Sequence, residues 1–205
     1  MTGKLIIISA PSGAGKTTLV KALDESDPEI LVSVSHTTRP KRHGEVEGID
    51  YFFTDDETFK AMVDNNQFLE HAVVFDNYYG TSKIWVEERL KEGYDVILEI
   101  DWQGAALSRK LMPDCVSIFI LPPSIQTLES RLAGRDEDDI STIKRRMHDA
   151  INELSHHDEY DFFVINDEFA QALFELQDIV ATLRENRQYQ QADLSQFIAG
   201  LMAET

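Results

Sequence analysis

Residues 10–17 read Ala-Pro-Ser-Gly-Ala-Gly-Lys-Thr, directly after the apolar run Leu5-Ile6-Ile7-Ile8. Their types and order suit one task, the cradling of a phosphate chain. Gly13 and Gly15 let the backbone of the loop Ala10, Pro11, Ser12, Gly13, Ala14 and Gly15 turn so that its N–H groups, which Pro11 alone lacks, converge on anionic oxygens. The start of the following helix adds its partial positive charge, Lys16 reaches the β and γ oxygens, and the Thr17 hydroxyl is suited to ligate Mg²⁺. The template G-x-x-x-x-G-K-[ST] is met everywhere except at its first place, where Ala10 stands for Gly.

A second set of groups lies further on. Arg39 and Arg42 are three apart in a turn-rich segment and form either a fork for a second anion or a surface ion-pair set; the Tyr51 and Tyr79 hydroxyls can donate to the same oxygens. Glu70 and Thr81 offer a carboxylate and a hydroxyl. A carboxylate accepts the N1–H and 2-amino hydrogens of guanine side by side, whereas the bare N1 of adenine would face its lone pairs. The other reading of Glu70 is a solvated strand residue. Asp101 ends the strand pattern "VILEID" and is suited to hold a water of a metal's hydration shell; with Gly104 it also writes D-x-x-G, but the Asn-Lys-x-Asp motif of a switch GTPase is absent from the chain. Arg131 and Arg135, four apart, share a helical face, with Lys144, Arg145 and Arg146 beyond; they form a clamp for phosphates or a solvated face balanced by the acids at 136–139.

The elements that must position these groups follow from hydrophobic period. Apolar, β-branched runs at "LIIIS", "ILVSVS", "DVILEI", "CVSIFIL" and "DFFVIN" alternate with helical patterns at 16–25, 84–92, 102–111 and 168–187. That alternation predicts an α/β fold, a mostly parallel sheet covered by helices. It breaks at 36–84, a polar stretch dotted with aromatics that reads as an inserted lobe, and again at 122–155, which is charged and helical. The expected core is thus 1–35, 85–121 and 156–205, with a short helix in the tail. Both interruptions are expected to close over the substrates and exclude water.

Composition narrows the partners. With 19 Lys and Arg against 37 Asp and Glu, the formal charge is −18, which repels a nucleic-acid backbone or an anionic membrane. Any anion site must therefore rely on its own local cations. No nucleic acid and no membrane partner is expected, no apolar stretch reaches bilayer length, and the N-terminal run is too short for a signal peptide. The one cysteine, Cys115, cannot form an internal disulfide and is expected to be a buried strand residue, which suits a reducing cytoplasm. His148, His156 and His157 have no metal-ligand spacing and read as surface residues; His36 and His71 fall in the lobe without a derivable role.

Taken together, "APSGAGKT", "VSVSHTTR", "DYFF", "FLEHAVVF", "NYYGTS", "LEIDWQGA", "SIFILPPS", "RLAGR" and "VIND" resemble the bacterial guanylate kinases over residues 3–185. The resemblance implies a P-loop NTPase fold with an inserted mixed α/β GMP-binding lobe and a helical lid. It also implies transfer of the ATP γ-phosphoryl group to GMP or dGMP, with Mg²⁺, in recycling GMP and supplying GDP and GTP. By position in the family, Arg39, Arg42, Tyr51 and Tyr79 meet the GMP phosphate, and Ser35, Glu70 and Thr81 meet the guanine. Glu45 and Asp101 are acidic supports near the reacting groups, and Asp101 is also implied as a GMP contact and as reaching the metal through water. Lys16, Arg39, Arg135 and Arg146 are implied as the catalytic cations, Arg131 and Arg135 as ATP contacts, and Asn166 as an adenine contact. Only the resemblance chooses Arg146 over Arg145. Two positions depart from the family: Pro40 lies one place nearer the first arginine, and Glu99 stands where an Asp can occur. Two rivals keep the fold, a binding module without catalysis and a kinase for another phosphorylated acceptor. The presence of Lys16, Thr17 and the arginines speaks against the first, and Glu70, Tyr79 and Thr81 against the second. The enzyme is expected as a monomer or a homo-oligomer.

Overall fold

A computed structural model describes residues 2–74, 76–133 and 140–204. In chain order the elements are β1 (Leu5–Ser9), α1 (Lys16–Ser26), β2 (Ile30–Val32), β3 (His36–Thr37), β4 (Phe52–Phe53), α2 (Asp56–Asp64), β5 (Phe68–Val74), β6 (Asn77–Ser82) and α3 (Lys83–Glu92). They continue with β7 (Asp95–Glu99), α4 (Trp102–Leu111), β8 (Val116–Leu121), α5 (Ile125–Ala133), α6 (Ile140–Leu154), β9 (Phe162–Ile165), α7 (Phe169–Arg184) and α8 (Ser195–Ala203). Among the described residues no helix is long and apolar enough to cross a membrane.

The chain divides into two compact units, Met1–Ile7 with Pro28–Val116, and Ile8–Asp27 with Ser117–Thr205. In the first, β2 pairs in parallel with β7 in the register Ile30↔Asp95 to Val32↔Ile97, and β7 lies beside β1. Val96, Ile97 and Leu98 are fully buried, as a strand covered on both faces requires. The run expected to be strand through Ser35 ends early: β2 stops at Val32, and from Ser35 on the backbone serves a second sheet.

That second sheet has the order β4-β3-β6-β5. β5 and β6 form an antiparallel hairpin, and β3 pairs antiparallel with β6 and parallel with β4. Beneath it Phe59 of α2 stacks on Phe68 and Tyr78, with ring centroids 4.6 and 5.3 Å away. Gly80 is required there, because a Cβ would lie 2.9 Å from the Phe68 ring and 3.0 Å from Phe59. Local signals start the helices: the Asp55 carboxylate accepts from Thr58 N–H at 2.7 Å at the head of α2, and Asp101 does the same for Gly104 N–H at 2.9 Å at the head of α4.

In the second unit β8 pairs in parallel with β9, Ile118↔Phe162 to Leu121↔Ile165. Leu19, Val20 and Leu23 of α1 and Leu176, Ile179 and Val180 of α7 are buried, each set at helical spacing, and the two helices pack together. Leu128 and Leu132 of α5 join Ala150 and Met147 of α6 in one apolar cluster. Cys115 differs from expectation: it precedes β8 in a turn, its N–H donating to Met112 O, and is only half-buried.

Candidate active site

The second unit carries the glycine loop. Gly15 caps α1 in the left-handed region (φ 89°, ψ 18°) and Gly13 has φ 91°, conformations that L side chains rarely adopt. No side chain caps α1, so its first-turn N–H groups lie at the mouth of the loop formed by Ala10 to Gly15, with Lys16 and Thr17 as the first helical residues. Distant residues hold this loop. The Asn166 side-chain amide, at 6 % exposure, donates to Ala14 O at 2.7 Å, and a Cβ on Gly15 would meet that amide at 2.3 Å. Ser12 N–H donates to a Glu153 carboxylate oxygen of α6 at 2.7 Å. Leu128 and Leu132 lie 3.1–3.2 Å from where a Cβ on Gly13 would be.

Of the expected lid residues, Arg131 donates both terminal nitrogens to Asn166 O at 3.3 and 3.4 Å, which ties α5 to the end of β9. Arg146 is half-buried on α6, one residue from the apolar cluster, whereas the exposed Arg145 faces Asp149 at 4.0 Å. Arg135 lies outside the described residues. Among the histidines, His148 is exposed, but His156 and His157 are half-buried and bond through Nδ1 to Glu159 and to Leu154 O.

The first unit carries the other groups, and strand register brings them together. Glu70 of β5 stands directly opposite Thr81 of β6, and Thr37 opposite Tyr79. Because side chains alternate along a strand, Thr81 and Tyr79 share a face. A bulge between Phe68 and Glu70, with Leu69 as the extra residue, shifts the alternation at this point. Glu70 is 4 % exposed; its carboxylate accepts the Thr81 hydroxyl at 2.6 Å, and burial, reinforced by the nearby Asp101 charge, pushes its pKa up to about 7. Asp101 accepts Gly104 N–H through one oxygen and Gln103 Nε2, at 3.1 Å, through the other.

On the same sheet Arg39 is gripped by Glu45 through two bonds of 2.6 and 3.1 Å, and its guanidinium lies over Tyr51 at 5.2 Å. The Glu45 pair and the Tyr79 hydroxyl hold the Arg39 proton more firmly than usual, and the same pair keeps the Glu45 carboxyl below its ordinary range. Tyr51 meets Tyr79 edge to face at 5.9 Å, and burial, aided by the Glu99 charge, raises the Tyr51 pKa. Arg42 is exposed, its backbone N–H sharing Glu45, and Ser35 is half-buried with its carbonyl accepting from Phe52 N–H. Pro40 follows Arg39 without disturbing the pair, its carbonyl taking an Arg39 N–H at 2.9 Å. Arg39, Glu45, Tyr51 and Tyr79 thus form one cluster, and the buried Glu70 and Thr81, with the half-buried Asp101 nearby, a second. His36 is a residue that sequence reasoning left without a place: it stacks on Phe52 at 4.9 Å and meets Phe68 edge-on, and burial lowers its pKa.

The sequence model of one family, described as guanylate kinase, matches residues 2–183. The chain belongs to the guanylate kinase family. A guanylate kinase from Methylococcus capsulatus is 56 % identical over 200 residues, 98 % of each chain, and one from Hydrogenovibrio crunogenus 59 % identical over 185 residues, 90 % of each. The crystal structure of guanylate kinase from Anaplasma phagocytophilum superposes with a TM-score of 0.75 at 33 % identity, covering 92 % of this chain and 88 % of that one. As a guanylate kinase the chain is a nucleotide-binding phosphotransferase, and its parallel sheet flanked by helices is the α/β fold expected. Two groups that hold the site stand outside the residues expected from the sequence: Glu153, and Gly104, which drew notice only as the last letter of D-x-x-G. Glu153 had a signal: it lies seven residues after Arg146, on the same face of α6.

Proposed function

We propose that the chain transfers the γ-phosphoryl group of ATP to GMP, and also to dGMP, with the ATP phosphates on the glycine loop of the second unit and GMP on the four-stranded sheet of the first. The observation that carries the acceptor assignment is the buried Thr81–Glu70 pair: a carboxylate desolvated in a strand register, beside a hydroxyl donor, offers guanine two acceptors for its N1–H and 2-amino hydrogens. Thr81 and Ser35 complete the contacts to the base. Arg39, Arg42, Tyr51 and Tyr79 take the GMP phosphate, with Asp101 holding the first turn of α4 next to Glu70.

Charge in the transition state spreads over the transferred oxygens, so these residues align and neutralise and form no covalent bond. Lys16 and the loop N–H groups bind the β and γ oxygens; Arg131, Arg135 and Arg146 add charge on the same chain of phosphates. A hard, hydrated cation bound by phosphate oxygens takes only one or two protein oxygens, and the Thr17 hydroxyl beside Lys16 fits Mg²⁺ in that way. Bound there, Mg²⁺ supplies further positive charge on the phosphate oxygens. Asn166 serves first as the brace of Ala14 O, and its buried amide brings the end of β9 to the loop.

Incubation with ATP, Mg²⁺ and a panel of monophosphates, followed by ADP release, tests the acceptor. Rapid turnover with GMP, slower with dGMP and almost none with AMP, CMP or UMP is expected; equal rates on AMP would overturn the assignment of Glu70. A separate test concerns Arg39. Glu45→Gln keeps the shape but removes the charge that aims the guanidinium, and should raise the KM for GMP by about tenfold while leaving the KM for ATP unchanged. Equal rises in both KM values would show that Glu45 supports the fold instead.

A further inference from the structure

Gly104 is the third residue of α4, a place where most side chains are welcome and where glycine weakens a helix. Its position is explained by what lies above it. A Cβ on Gly104 would stand 2.6 Å from Glu70 Oε2 and 3.2 Å from Glu70 Cδ, while Asp101 Oδ1 lies at 3.4 Å. The other Glu70 oxygen is held by the Thr81 hydroxyl, and the residue is buried, so the carboxyl group has no second place to go without giving up that bond. Gly104 N–H is itself taken by Asp101. The bare Cα of Gly104 is therefore the floor on which the Glu70 carboxyl rests.

We propose that Gly104 is a positioning residue for base selection: the missing side chain on the first turn of α4 sets the height and tilt of the Glu70 carboxyl. This rests on the reading that Glu70 accepts the N1–H and 2-amino hydrogens of the base. A methyl at 104 meets only the tip of one side chain, which the fold tolerates by moving the tip, but recognition of two parallel donors does not tolerate it. A displacement on the ångström scale is enough to cost on the order of 10²-fold where geometry is decisive.

The test compares wild type, Gly104→Ala, Glu70→Asp and the double variant, each with GMP and with IMP as acceptor. IMP lacks the 2-amino group and uses one carboxylate contact instead of two. Gly104→Ala should raise the KM for GMP about tenfold or more and shrink the GMP-over-IMP ratio of kcat/KM by a similar factor, with kcat, the KM for ATP and the melting temperature nearly unchanged. Aspartate at 70 is shorter by one methylene and clears the methyl, so adding Gly104→Ala to Glu70→Asp should cost less than about twofold. Multiplicative effects of the two changes, an unaltered GMP-over-IMP ratio in Gly104→Ala, or a matching rise in the KM for ATP would each overturn the proposal. If Glu70→Asp alone leaves both the KM for GMP and the ratio as in wild type, the base-reading assignment of Glu70 fails first and the role of Gly104 falls with it.

Discussion

Replacing Lys16 with alanine is expected to lower kcat by about 10³-fold or more, while GMP binds nearly as tightly as to the wild type. The expectation follows from where the residue begins its helix. Gly15 turns the chain in a left-handed conformation, and α1 starts at Lys16 with no capping side chain, so ammonium and backbone N–H groups act at one mouth. Backbone donors alone bind phosphate oxygens in the ground state. The ammonium adds positive charge where negative charge is redistributed as the γ-phosphoryl group leaves, and alanine removes it without disturbing Asn166 or Glu153, which hold Ala14 and Ser12. Steady-state rates together with calorimetric titration of GMP provide the check. A variant with undiminished kcat would remove Lys16 from the reaction.

Glu70→Gln is expected to change the pH dependence of both activity and stability. The folded carboxyl titrates at about 7 against an ordinary 4.5, chiefly because burial penalises its charge. The folded state therefore holds a proton that the unfolded chain releases. The associated stability is complete below about pH 4.5, declines as pH rises, and is lost above the folded value of about 7. A shift of this size corresponds to about 3 kcal/mol. Glutamine carries no such penalty, so in urea unfolding the variant should gain on the wild type by about 3 kcal/mol between pH 4.5 and pH 8. Activity should respond in the opposite sense. If the ionised carboxyl accepts the two guanine hydrogens, as proposed, kcat/KM for GMP should climb about tenfold per pH unit toward 7 and then level, a limb absent from kcat/KM for ATP. In Glu70→Gln the limb disappears and kcat/KM for GMP falls about 10²-fold or more. A wild-type profile flat between pH 5.5 and 8 would refute the raised titration.

The parts of this guanylate kinase readable from its residues are the parts governed by short stretches of chain. The glycine loop, its two glycines and the lysine at a helix start form one contiguous run, and backbone sterics confine such a run to few conformations. Period 2 and period 3.6 located β1, β7, β8, β9, α1, α3, α4 and α7, each within a few residues of the expected bounds. Glu70 and Thr81 drew notice for their chemistry alone; the hairpin register that sets them opposite each other, 11 residues apart, came only with the structure.

Other features had no local code. Glu153 reaches Ser12 across 141 residues and Asn166 reaches Ala14 across 152, and neither partner carries a mark of the other. The early end of β2 depended on a competing sheet that claims the backbone from Ser35 onward. Sequence by itself marked the groups whose chemistry suits phosphate and base, and the elements that bear them, since those are properties of residue types at fixed spacing. Only the tertiary structure decided that Arg39 is held by Glu45, that the Glu70 carboxyl titrates near 7, and that Gly104 lies beneath it. Orientation and desolvation arise when distant segments exclude water from the same space, and no short stretch of chain encodes that exclusion.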